Sequence, residues 1–223
     1  MTTNLTLAFD VYGTLIDTQD VTKTLEKWIG DQAQVFSETW RNKQLEYSFR
    51  RGLMQSYLPF SCCTSQALQY ACQYHGVELL PEQIETLLAS YLTLPAFADV
   101  EPALKALKEN GVALFAFSNG EKSSVDGLLK HAGLDAYFDG VISCEDVQTF
   151  KPNPVVYDFL VKKTGAVANQ LYLVSSNSFD ITGAISSGLK AAWVKRSDAA
   201  ILDPWGIEPT QTVTSLEDLL KIK

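Results

Sequence analysis

Residues 5–9 read Leu-Thr-Leu-Ala-Phe, an apolar run of the length and composition of a buried strand. The run stops at Asp10, and Gly13-Thr14 supplies the turn that follows. From about Asp17 to Pro95 the apolar period lengthens to that of helices. Val21, Leu25, Trp28 and Ile29 recur at helical spacing. Val35, Phe36, Trp40, Tyr47 and Met54 continue it, with one apolar face over Ser37 to Met54. A loop around Pro59-Phe60-Ser61 precedes a third helix, about Thr64 to Tyr74, which Gly76 closes. Pro81 opens a fourth, reaching to about Thr93, at a position that suits proline. Four helices on short loops predict a small bundle inserted after the first strand.

After Pro95 helices and strands alternate. Helices are expected at Glu101 to Glu109, Lys122 to His131, Val155 to Thr164 and Phe179 to Ser187, with a last short one at Leu216 to Leu220. Strands are expected at Val112 to Phe117, Gly140 to Ser143, Leu171 to Val174 and Ala191 to Val194. This rhythm predicts an α/β fold, a parallel sheet covered on both faces with right-handed crossovers.

Composition narrows the class. The 223 residues, 46% hydrophobic and 20% charged, fit a soluble globular protein of one good-sized core or a core plus a smaller domain. No apolar run approaches the roughly 18 residues needed to cross a membrane. The Met-Thr-Thr-Asn start has no basic, signal-type character, so a cytoplasmic address is expected. The four cysteines show no metal spacing and read as reduced, mostly buried thiols, with Cys144 ending a strand. A net charge of −8 argues against a nucleic-acid surface. An anionic substrate must then be captured by a few local cations.

Polar residues gather at the expected carboxyl ends of strands, where open parallel sheets bind ligands. They are Asp10, then Ser118-Asn119, then Ser175-Asn177-Asp180, with Lys151 in the intervening loop Phe150-Lys151-Pro152. A carboxylate placed like Asp10 can act as a nucleophile that forms a covalent ester. Each residue also has a plain reading. Asp10 and Ser118-Asn119-Gly120 suit turns and helix caps, Lys151 suits a solvated surface, and Asp180 suits a first helical turn. Their joint position at successive strand ends favours one site.

The set Asp10-x-Tyr12-Gly13-Thr14-Leu15, Ser118-Asn119-Gly120, Lys151-Pro152 and Ser175-Ser176-Asn177-x-x-Asp180 resembles the four motifs of the haloacid dehalogenase superfamily. The stretch Trp40-Arg41-Asn42-Lys43-Gln44-Leu45-Glu46-Tyr47 is similar to the cap segment of its L-2-haloacid dehalogenase branch. The resemblance implies a Rossmann-like core, residues 1–16 and 96–223, with an inserted helical-bundle cap domain, residues 17–95, commonly as a homodimer. It also implies hydrolytic dehalogenation of short (S)-2-haloalkanoic acids to (R)-2-hydroxy acids and halide. Asp10 would be the nucleophile, and Asp180 the base for ester hydrolysis, positioned with its water by Ser175 and Asn177. Lys151 and Thr14 would hold Asp10 ionised and oriented. Ser118 would cradle the substrate carboxylate, with Arg41, Asn119 and Phe60 around the halide. Val11, Tyr12, Leu45 and Phe179 would complete the substrate pocket, and Tyr157 reads equally as a site donor or a buried helix aromatic. The branch often has Gln at Asn42 and Trp at Phe179, both expected near the pocket.

No cofactor or metal is expected. Superfamily phosphatases typically carry a second acid where Tyr12 stands, and acidic Mg²⁺ ligands where Ser175-Ser176-Asn177 stands. A hard cation would find too few carboxylates here, and a departing halide needs no proton. A phosphatase, or a non-catalytic carboxylate-binding member of the superfamily, remains the alternative.

Overall fold

In the computed structural model the described residues are 5–222, and they form a parallel sheet flanked by helices. The strands are β1 (Thr6–Phe9), β2 (Ala113–Ser118), β3 (Gly140–Ser143), β4 (Leu171–Ser175), β5 (Lys190–Val194) and β6 (Gln211–Val213). Their spatial order is β3-β2-β1-β4-β5-β6, parallel throughout. From β1 the chain moves out to β2 and β3 and then crosses back to β4 on the other side of β1, so the crevice at the carboxyl end of β1 lies where the strand order reverses.

The helices are α1 (Asp20–Ile29), α2 (Ala33–Leu53), α3 (Phe60–His75), α4 (Pro81–Ser90), α5 (Val100–Glu109), α6 (Lys122–His131), α7 (Pro154–Thr164) and α8 (Ser178–Ser186). Strand alternation assigns the sheet's two faces. Leu7 and Phe9 share a core with Val100 and Leu104 of α5 and Val125 and Leu128 of α6, while Ala8 packs with Val156 and Leu160 of α7 and Ile181 of α8. Asp10 has the parity of Ala8, which directs its carboxylate toward the α7–α8 face.

Helices α1 to α4 fill the interval between β1 and α5, as the lengthened period predicts. The chain runs out and back side by side: Asp17 N–H donates to the Pro95 carbonyl (2.8 Å) and Phe97 N–H to that of Leu15 (3.0 Å). Trp40 of α2 is fully buried, and its indole N–H donates to the Thr64 carbonyl of α3 (2.9 Å).

Several expectations are corrected. Phe60 begins α3 and does not lie in the preceding loop, because Glu121 Oε1 accepts hydrogen bonds from Ser61 N–H (3.3 Å) and Oγ (2.5 Å) at that helix start. The second helix starts at Ala33, and the fourth stops at Ser90. Strand β3 ends at Ser143, leaving Cys144 to open a 3₁₀ turn. β6 was not expected, and the last helix is a 3₁₀ turn over Leu216–Lys221. No helix of the described residues is long and apolar enough to cross a membrane.

Candidate active site

Register brings the expected residues together. Phe9 pairs with Ala116 on one side and Val174 on the other, so Asp10 lies level with Phe117 and Ser175. Gly13, at φ +86°, turns the chain so that Thr14 reaches back to the carboxylate.

The two oxygens of Asp10 have different surroundings. Oδ2 accepts from Thr14 Oγ1 (2.9 Å), Ser175 Oγ (3.3 Å) and Asn177 Nδ2 (2.7 Å). Among the described residues, Oδ1 accepts from Lys151 Nζ (3.1 Å). The Lys151 ammonium is 1% exposed and also donates to Asp180 Oδ2 (2.8 Å) and the Phe117 carbonyl (2.9 Å). Burial alone would lower its pKa, but Asp10 and Asp180 outweigh that and hold it above the ordinary lysine value.

Asp180 lies in the first turn of α8 and is fully buried. Burial raises its pKa and Asp10 adds to the rise, while Lys151 acts against it. Its Oδ1 accepts from the Tyr157 phenol (2.8 Å). Tyr157 is fully buried behind Asp180, a helix aromatic that also donates a hydrogen bond to the acid. Gly183 permits this: a Cβ there would come within 2.5 Å of Tyr157 Oη and 2.6 Å of Pro152 Cβ.

Ser118 Oγ accepts from Gly120 N–H (3.0 Å), and Asn119 Oδ1 accepts from Lys151 N–H (2.9 Å), tying the two loops together. From α2, Arg41 reaches the Tyr12 carbonyl with Nη2 (3.4 Å), the same oxygen that Asn177 Nδ2 contacts (3.2 Å). Phe60 lies 6.4 Å from the Tyr12 ring and 6.0 Å from Phe150, between centroids. Phe179 meets Phe49 of α2 edge-on at 5.0 Å.

One expected position turns its side chain away from the crevice. The Val11 side chain is fully buried in the core, and its carbonyl accepts the turn N–H groups of Thr14, Leu15 and Ile16. Leu45 is half-buried and Asn42 exposed, both on α2. A cavity of about 210 Å³ lies against Tyr12; Phe60, Thr64, Leu88, Tyr91 and Glu121 help line it. The sequence reading missed Gln44, fully buried beside Arg41, whose Nη1 donates to Gln44 Oε1 (2.8 Å).

The donor set does not fit a divalent cation. Asp10 and Asp180 both pair with the Lys151 ammonium, and Ser175 and Asn177 spend their donors on Asp10 Oδ2. A hard ion needs oxygen ligands where this site presents N–H and O–H donors. Among the described residues no group of three or more His, Cys, Asp or Glu side chains is arranged to hold a metal.

A parallel sheet with a helical insertion after its first strand, and a lysine-paired aspartate at that strand's end, define a hydrolase scaffold. The haloacid dehalogenase-like hydrolase family profile matches residues 5–188, and the chain belongs to this family. It is similar to an (S)-2-haloacid dehalogenase of Pseudomonas sp. (strain YL), 35% identical over 97% of this chain and 93% of the relative. A haloacetate dehalogenase of Moraxella sp. (strain B) is 32% identical over 97% of this chain and 96% of its own. The solved L-2-haloacid dehalogenase of Xanthobacter autotrophicus with chloropropionic acid covalently bound superposes with a TM-score of 0.90, at 29% identity, covering 99% of this chain and 98% of that one.

Proposed function

We propose that the chain is a hydrolytic dehalogenase of short (S)-2-haloalkanoic acids, releasing halide and an (R)-2-hydroxy acid through an aspartyl ester. The unequal oxygens of Asp10 carry this reading. Oδ2 is held by three donors, leaving Oδ1, held by Lys151, as the oxygen that attacks the halogen-bearing carbon. The C–O bond forms from the back as the C–halogen bond breaks, the electron pair leaves with halide, and the carbon inverts. No general acid is required.

After that step Oδ2 is the ester's carbonyl oxygen. Thr14, Ser175 and Asn177 then stabilise the negative charge that develops on it when water attacks Cγ. Asp180, its pKa raised mainly by burial, takes the water's proton. Breaking the Cγ–Oδ1 bond releases the hydroxy acid, its oxygen receiving the proton back from Asp180, without touching the stereocentre. Ser118 and neighbouring backbone N–H groups receive the substrate carboxylate, and Arg41, Asn119 and Phe60 receive the halide. Tyr12, Leu45 and Phe179 supply apolar wall. Residues 17–95 form a cap domain on the core of residues 1–16 and 96–223, and closure excludes water during the first step. The protein works without cofactor, in the cytoplasm and as a homodimer.

Halide release from a panel of chloro-, bromo- and fluoro-acids, with and without a chelator, tests this. Halide should appear from a 2-halopropionate of S configuration and survive chelation. No release from any acid, with Mg²⁺-dependent hydrolysis of phosphate esters instead, would overturn it.

A further inference from the structure

Arg41 and Gln44 are three residues apart on α2, hence neighbours on one helix face. Gln44 is fully buried, an expensive place for an amide unless its hydrogen bonds are met. Arginine can only donate, so the amide oxygen must face the guanidinium, and the amide nitrogen must face away. It does: Gln44 Nε2 donates to Thr64 Oγ1 (2.5 Å), and Thr64 passes its own hydrogen to the Phe60 carbonyl (3.1 Å). The Arg41–Gln44 bond, at 2.8 Å, is much shorter than the 3.4 Å contact of Arg41 with the Tyr12 carbonyl. Tyr91 packs into the same place; burial pushes its phenol above the ordinary pKa, against the pull of Arg41 and the Gln44 amide.

We infer that Gln44 is a positioning residue that fixes the plane of the Arg41 guanidinium over the crevice, its own amide being oriented from α3 through Thr64. This rests on the reading of Arg41 as the halide's partner. A helix-surface arginine has many rotamers, and a buried acceptor selects one before substrate arrives. Gln44 needs no contact with substrate to do so.

A double-mutant cycle of Gln44→Met and Arg41→Lys, read as kcat, KM and inhibition by added bromide, tests the inference. Alone, Gln44→Met should lower kcat by about ten- to a hundredfold, the range for one hydrogen bond to a charged group. It should weaken bromide inhibition in parallel. In the Arg41→Lys background the same substitution should cost no more than about twofold, because the group it positions is gone. Multiplicative losses would overturn the inference and make Gln44 a packing residue. Near-normal turnover of Arg41→Lys alone would overturn the underlying reading of Arg41, a separately visible failure. Where Gln44→Met does not fold, Gln44→Leu takes its place, read in the same two backgrounds with the same outcomes.

Discussion

Around Asp10 the strand ends place four donors within 3.3 Å, whereas the helical insertion approaches the same crevice with an Arg41 contact of 3.4 Å to the Tyr12 carbonyl. The donors on the core side come from three separate segments, each fixed by sheet register or by a buried loop. Those on the insertion side hang from one helix and are oriented within the insertion itself, through Gln44 and Thr64. Core and insertion also touch through Phe49 with Phe179 and Ser61 with Glu121, between partly or fully exposed side chains, and through the buried Phe60 and Phe150. The difference separates two tasks. On the proposed mechanism, a nucleophile that must not move is built into rigid elements, while the proposed partner of the departing halide sits on the insertion.

The largest break in that contrast should come from Lys151→Met. It removes the cation shared by two buried carboxylates and leaves both unpaired, which destabilises by about 3–5 kcal/mol when one partner of a buried pair is lost. Burial already raises the Asp180 pKa, and Lys151 opposes the rise; without it the pKa climbs further. A raised carboxyl pKa means the folded state holds the proton more tightly than the unfolded one. Its stability therefore falls as pH rises beyond the ordinary carboxylate value of about 4. Thermal melts should show the Lys151→Met deficit growing from acid toward neutral pH. A deficit independent of pH would contradict the shared-cation account.

How much of this contrast the sequence carried depends on how local the signals are. Asp10, Ser118 and Ser175 were legible because each ends an apolar run, and β-strand register then does the rest. The start of α3 was not, since the group that holds it, Glu121, lies 60 residues further along. β6 is three residues long with two of them exposed, too short for any alternation to register. Gln44 was invisible because a polar residue within a helix reads as solvated face, and only packing of α3 over it reveals the burial. Tyr157 read equally as a site donor or a buried aromatic, and only packing shows that it is both, donating to Asp180 from a buried position.

A smaller effect on the core side is expected from Gly183→Ala. The added methyl meets Tyr157 Oη and Pro152 Cβ, and overpacking of this kind costs about 1–3 kcal/mol. Displacing the phenol from Asp180 should lower kcal-scale stability and kcat together while KM changes little. An unchanged kcat in a destabilised protein would show that Tyr157 does not orient the acid. The smallest effect belongs to the insertion side: Ser61→Ala removes an exposed hydroxyl from Glu121 and leaves the Ser61 N–H as donor. Its stability should stay within about 0.5 kcal/mol of the parent in denaturant unfolding, as surface changes do. A larger loss would mean that this contact helps hold the insertion to the core.

Asp10 as an oxygen-transferring nucleophile is the claim on which the rest depends. Substitution of Asp10 and the chirality of the product cannot test it, because a general base activating water would give the same loss and the same inversion. A single turnover in ¹⁸O-water, with enzyme in excess over an (S)-2-halo acid, can. The ester route predicts a hydroxy acid carrying ordinary oxygen, with the label in the peptide that contains Asp10. Labelled product with unlabelled Asp10 would contradict it and assign the attack to water.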